Sequence, residues 1–167
     1  MNPHSGEIYA MANIPQFNPN NFNKFVHEAR KNNAVVSSYE PGSIFKPIVA
    51  AAALDQGISQ PNEKFFCENG KFKIGRTNIR EASNHKFGLL TMREIIANSS
   101  NIGAIKIAQK LGKDSFYEYI RKFGFGEKTS IQLPGVSSGL LGKRKNWSDL
   151  SLASISFGHE IAVTPLQ

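Results

Sequence analysis

The sequence predicts an α+β fold in which helices outweigh strands, and three observations carry that reading. An apolar, alanine-rich run follows Ser43 and stops at Gly57, with the length and composition of a buried helix. Two more apolar segments meet at a polar joint, residues 98–103, and a third carries the stripe Phe116, Tyr119, Ile120, Phe123. Candidate strands are short and lie among Gly, Asn and Pro turns.

Composition narrows the possible functions. A chain of 167 residues is one domain's worth and can bury a real core. No window reaches the 18 or more apolar residues of a membrane span, and the N-terminus has no signal-peptide pattern. Net charge is +7, but Lys and Arg are scattered except for Lys143-Arg144-Lys145 ahead of Trp147. Nucleic-acid binders show a longer stripe or a recognisable module, so this cluster reads as a solvated loop and nucleic acid is not an expected partner. Cys67 is the single cysteine, which excludes an intrachain disulfide and a Cys-based metal site. His27-Glu28 lacks the second histidine of H-E-x-x-H, since Lys31 stands there. No metal and no cofactor is expected.

In chain order, Asn2-Pro-His-Ser-Gly6 is turn chemistry, and residues 7–12 read as a buried strand. A hairpin partner for that strand would precede the turn, so the chain reads as part of something longer. Residues 13–33, rich in Asn, Pro and Phe, read as a loop with a short helix at 23–31. Residues 59–86 read as an irregular insertion with strands at 64–67 and 71–74 and tight turns at Gly70 and Gly75; no chemistry is assigned to them. Thr91-Met-Arg-Glu94 is a capping box opening a short helix. After the joint, a second helix with Ile102, Ile105, Ala108 and Leu111 on one face runs to Gly112. Asp114 can cap the next helix, which ends at Gly124. A short strand at 131–133, a Pro134-Gly135 turn, Gly139-Leu-Leu-Gly142 and a helix capped by Ser148 or Asp149 follow, the last running through Ser156. Thr164-Pro165 is a helix start.

The chemistry concentrates at Ser43. It follows a Pro-Gly turn at the start of the apolar helix, with Lys46 three residues on and one turn away on the same face. Pro47 is tolerated in a first turn, where its missing N–H would have no partner. Apolar surroundings disfavour the ammonium form of Lys46, leaving an amine able to take a hydroxyl proton, and free N–H groups at the helix end face developing negative charge. With 16 Ser and 14 Lys, roughly one S-x-x-K match is expected by chance. Ser83 and Lys86 make a second, in a polar run with no apolar helix behind it, so context rather than spacing favours Ser43. At the joint, Ser99 and Asn101 either face a cleft or simply cap the helix.

Taken together, Y-E-P-G-S-x-F-K-P, N-S-S-N-x-G, L-P-G with S-S-G-L-L, W-S-D, and S-F-G followed by V-T-P-L-Q resemble the transpeptidase domain of class B penicillin-binding proteins. The resemblance spans essentially the whole chain, and Trp147-Ser148-Asp149 is similar to the division-specific branch that makes septal peptidoglycan. It implies helices packed on an antiparallel sheet, the fold shared with serine β-lactamases, of which this chain would hold the helix-rich part and one long strand. It implies Ser43 as nucleophile, Lys46 as its base, Ser99 as proton relay and Asn101 as the group holding a substrate amide. The implied reaction is acyl transfer from a D-alanyl-D-alanine stem peptide to an amine of a neighbouring strand, with β-lactam antibiotics acylating the same serine. Implied partners are that peptide and other cell-division proteins, at the outer face of the bacterial cytoplasmic membrane, with any anchor in parts absent from this chain.

The family's third motif, K-T-G, is missing: Lys128-Thr129 is followed by Ser130. Residues 1–167 are therefore expected to be a partial transpeptidase domain, truncated at both ends, without most of the central sheet and poorly active, marginally stable or completed by another chain. Asn33 stands where the family usually has Arg, removing an expected ion pair, and His159-Glu160 replaces an aromatic and Gly pair. Two competing readings are a serine β-lactamase or β-lactam sensor on the same fold, and a non-catalytic fragment or scaffold.

Overall fold

A computed structural model describes residues 1–167. Six α-helices form: α1 (Asn33–Val36), α2 (Lys46–Asp55), α3 (Met92–Ala97), α4 (Asn101–Leu111), α5 (Lys113–Lys122) and α6 (Asp149–Ser156). Six short strands, β1 (Lys64–Phe66), β2 (Lys71–Ile74), β3 (Thr77–Arg80), β4 (Leu89–Thr91), β5 (Leu140–Leu141) and β6 (Ile161–Ala162), pair as three antiparallel two-stranded pieces, β1 with β4, β2 with β3 and β5 with β6. Helix outweighs strand, as the sequence predicts.

Helix α4 is the centre. Its apolar residues leave only a narrow polar edge, and such a helix belongs inside a bundle; Ile102, Ala104, Ile105, Ile107 and Ala108 are fully buried. Helices α2, α3, α5 and α6 all pack on it. Alanines 52 and 53 of α2, with no accessible surface, let the two helix backbones approach closely. Gly103 serves the same end toward α3, where a Cβ would stand 2.5 Å from the Ile95 side chain. The core continues through Phe45, Phe116, Ile120, Trp147 and Ile155.

Local signals place most boundaries. The Thr91 hydroxyl accepts from Glu94 N at 3.3 Å, and Glu94 reaches back to Thr91 N at 2.8 Å. Ser148 caps α6 by accepting from Ser151 N at 3.0 Å. Gly112 ends α4 at φ +86°. The strand expected at 64–67 forms at Lys64–Phe66 and that at 71–74 forms as expected, and the turn between β2 and β3 uses Gly75 at φ +57°.

Other expectations are corrected. Residues 7–12 form no strand and are largely exposed, Tyr9 at 70%, because no segment of the chain offers them a ladder. The helix expected at 23–31 is two 3-10 turns, Pro19–Lys24 and His27–Arg30, and a short α1 follows. Residues 131–133 form no strand; Leu133 N donates to Ile131 O at 2.9 Å, a tight local turn. No long strand exists; the longest have four residues. Asp114 does not cap α5, since Gly112 joins α4 to α5 directly and leaves the aspartate inside the first turn, where it pairs with Arg144. Phe123 ends half-exposed rather than in the core. At Thr164, where a helix start is expected, Thr164 and Gln167 make both reciprocal hydrogen bonds of a capping box, at 2.9 and 3.2 Å.

The basic cluster is explained structurally. Trp147 is 7% exposed, packs edge-on against Phe116 and Tyr117, and donates Nε1–H to Gly142 O at 3.0 Å. Its ring is not available for stacking a base.

Candidate active site

The residues ahead of Ser43 are pinned to the chain after α6. Tyr39 and Val163 exchange backbone hydrogen bonds at 3.0 and 2.9 Å, and Gly42 N donates to Gly158 O at 3.0 Å. The two glycine backbones are so close that a Cβ on Gly158 would stand 2.1 Å from Gly42 O. His159 Nδ1 lies 3.0 Å from Glu40 Oε2, and Glu160 N donates to Glu40 Oε1 at 2.9 Å. The His159-Glu160 pair, read as a departure, thus clasps the loop that presents Ser43. Asn33 accepts from the Ser37 hydroxyl at 2.9 Å at the start of α1.

Gly42–Phe45 is a 3-10 turn that runs into α2 at Lys46. The expected α-helical end beneath Ser43 is therefore a tighter turn, with Ser43 exposed and Lys46 directed inward at 1% exposure. Lys46 Nζ lies 3.1 Å from Ser43 Oγ, 2.9 Å from Ser99 Oγ and 2.5 Å from Ser99 O. Three acceptors match the three protons of an ammonium; loss of one frees a lone pair toward a hydroxyl. Burial pushes the Lys46 ammonium down to about 8 from the ordinary 10.5, while the negative charge of Glu81 opposes the shift.

Ser99 reaches this cluster because α3 stops and α4 starts within a few residues. It sits at φ +54°, a left-handed conformation uncommon outside glycine, and its own N–H and that of Ser100 donate to Ile96 O and Ile95 O at 3.2 and 2.9 Å. Asn101 opens α4, but its side chain is not hydrogen-bonded to the cluster: Nδ2 donates to Arg80 O at 3.1 Å. The structure thus joins Ser43, Lys46 and Ser99, and sets Asn101 two residues beyond Ser99, against the end of β3. Ser83 and Lys86 are both exposed and share no hydrogen bond, Ser83 lying in a turn at φ +53°. The largest hollow, about 760 Å³ between Ile8, Met11, Ile131, Leu133 and Leu166, contains none of these residues.

Sequence reasoning missed Glu81. It lies at the end of β3, in the stretch to which no chemistry was assigned, and is 4% exposed. Its carboxylate accepts from Ser100 Oγ at 2.6 Å, Asn101 N at 2.5 Å and Ile102 N at 3.3 Å. No local signal marks it, since its partners are some twenty residues away. No cluster of His, Cys, Asp and Glu suited to a metal ion is present.

Three comparisons extend beyond the geometry. The family profile described as penicillin binding protein transpeptidase domain matches residues 1–167. Among similar proteins, penicillin-binding protein PbpB of Mycolicibacterium smegmatis is 37% identical over 164 residues, covering 98% of this chain and 25% of its own. The peptidoglycan D,D-transpeptidase FtsI of Escherichia coli K12 is 34% identical over 164 residues, covering 98% and 27%. The transpeptidase domain of Burkholderia pseudomallei penicillin-binding protein 3 superposes with a TM-score of 0.77 at 33% identity, over 80% of this chain and 40% of that one. The chain spans about a quarter of the length of the curated relatives it matches. With a hydroxyl, a buried amine and a second hydroxyl in one cluster and the family matched from end to end, this chain belongs to the transpeptidase domain family of penicillin-binding proteins.

Proposed function

We propose that this chain carries the nucleophile half of a peptidoglycan D,D-transpeptidase site working through a serine acyl-enzyme. The observation supporting it is the single amine, Lys46 Nζ, within hydrogen-bond reach of both the Ser43 and Ser99 hydroxyls. Neutral Lys46 takes the Ser43 proton as Oγ attacks the carbonyl of the penultimate D-alanine. The C–N bond to the terminal D-alanine breaks, and its nitrogen receives the proton passed from Lys46 through Ser99. The acyl group, held as a Ser43 ester, then moves to an amine of a neighbouring strand, whose proton returns by the same route. Asn101 offers a fixed donor and acceptor for the substrate amide. A β-lactam would acylate the same oxygen.

Transfer is favoured over hydrolysis by the position of Glu81. It is the one carboxylate acting on Lys46, and its oxygens already serve Ser100, Asn101 and Ile102, so it is not offered to a deacylating water. Septal synthesis rests on the W-S-D resemblance and on relatives named FtsI, and implies work at the outer face of the cytoplasmic membrane. No helix here is long and apolar enough to cross that membrane.

The test is the intact mass of the chain after incubation with excess penicillin, with Ser43→Ala and Ser83→Ala beside it. One covalent adduct, lost only in Ser43→Ala, is the expected outcome. An adduct that survives Ser43→Ala, or none on a chain shown to be folded, removes the proposal for this chain.

A further inference from the structure

Helix α4 begins two residues after Ser99, which meets Lys46, and the first N–H groups of any helix have no partner of their own. Here they are satisfied from two directions. Ser100 Oγ accepts from Gly103 N at 2.9 Å, while Asn101 N and Ile102 N donate to the Glu81 carboxylate. The same carboxylate accepts from Ser100 Oγ, so the cap from within the helix and the cap from β3 are tied together. A second link runs in the same direction, with Asn101 Nδ2 donating to Arg80 O at 3.1 Å. A buried carboxylate with three donors at a helix N-terminus is a strong, charge-assisted arrangement.

We propose that Glu81 is a positioning residue of the acyl-transfer site: its carboxylate locks the start of α4 to the end of β3, and thereby holds Ser99 and Asn101 in register with Lys46. This rests on the transpeptidase reading of Ser43, Lys46 and Ser99. Ser99 is the residue immediately before the locked turn, in a left-handed conformation that surrounding structure must impose. Both its hydroxyl and its carbonyl bear on Lys46 Nζ. Loss of the lock frees that turn to relax, and misplacement of about 1 Å costs on the order of a hundredfold in a positioned reaction.

Glu81 also sets the charge felt by the amine. Burial drives Lys46 toward its neutral form, and Glu81 is the one charged group that pulls the other way. The buried Cys67 thiol also feels the Glu81 charge, and with it that of the Lys106–Glu68 pair, closed at 2.7 Å; Arg80, the chain neighbour of Glu81, is exposed. A purely structural cap would not need a charge, which separates the two roles.

The experiment compares the parent chain with Glu81→Gln, which keeps the shape and one acceptor without the charge, and with Glu81→Ala. Three quantities are read on each: the titration midpoint of Lys46 by NMR of lysine labelled at Cε, the amide resonances of Ser99 and Asn101, and the pH profile of acylation by penicillin. In Glu81→Gln the Lys46 midpoint moves below that of the parent, and the acylation profile moves in the same direction. In Glu81→Ala acylation falls by about tenfold or more at every pH, with the Ser99 and Asn101 amide resonances displaced. Unchanged Lys46 titration together with acylation within about twofold of the parent in Glu81→Gln overturns the proposal. If Glu81→Ala does not fold, Glu81→Gln decides alone. If the parent is not acylated, the transpeptidase reading fails, while the Lys46 titration still decides whether Glu81 acts on that amine.

Discussion

On the proposed reading the chemistry turns on Lys46, which is charged by nature and placed where charge is disfavoured. Its ammonium is pushed down to about 8 by burial, so the neutral base accumulates as pH rises through that value. Acylation by penicillin should therefore increase from pH 6 to 9 with a midpoint near 8; a flat profile would mean that Lys46 is not the base. The same shift bears on stability. The folded form disfavours the proton that the unfolded chain keeps up to about 10.5, so the destabilisation is full below 8 and is relieved between 8 and 10.5. The stability of the parent relative to Lys46→Met should rise with pH across that window, as measured by urea unfolding. Proline at position 47 fits beside this amine because the first turn of α2 asks no hydrogen bond of its nitrogen.

Among the elements, the decisive junction is between the Ser43 turn and the loop after α6. Gly158 is in the left-handed region at φ +85°, and the atom nearest a Cβ there is a backbone oxygen of Gly42, which cannot swing aside as a side chain would. Gly158→Ala should destabilise the fold by about 1–3 kcal/mol and reduce penicillin acylation more than an equally destabilising core change, since the strain falls on the turn that presents Ser43. Parallel measurements of unfolding and adduct formation separate the two effects. The sequence showed this glycine in the S-F-G motif, but its reason for being glycine is a contact made across more than a hundred residues.

For the molecule as a whole, α4 stands at the centre and the catalytic candidates lie where its N-terminus meets α2 and α3. The aromatic group of Phe45, Phe116, Phe125 and Trp147 backs the first residues of α2 from the far side. Trp147→Ala would empty the outer end of this group and should cost about 3–5 kcal/mol by urea unfolding. A loss under about 1 kcal/mol would show that Trp147 is peripheral to the core. The three strand pairs are too short to build a layer, which makes helix packing the main source of order.

What the sequence determined by itself was local. The capping box at Thr91, the Ser148 cap, the glycine stops and the apolar periods of α4 and α5 follow from contacts within three or four residues. The S-x-x-K spacing needs only one helical turn to bring Ser43 and Lys46 together. Tertiary structure decided what depended on distant partners. Residues 7–12 have strand-like composition and no ladder, so they form no strand and stay largely exposed. The second S-x-x-K match, Ser83 and Lys86, has the spacing but not the apolar burial that lowers the pKa of Lys46. Ser99 meets Lys46 only because α2 and α4 pack together across some fifty residues of chain. Glu81 finds the head of α4 from twenty residues away. Hydrogen bonds of that span leave no period or spacing in the sequence, because the chain between the partners is free to vary.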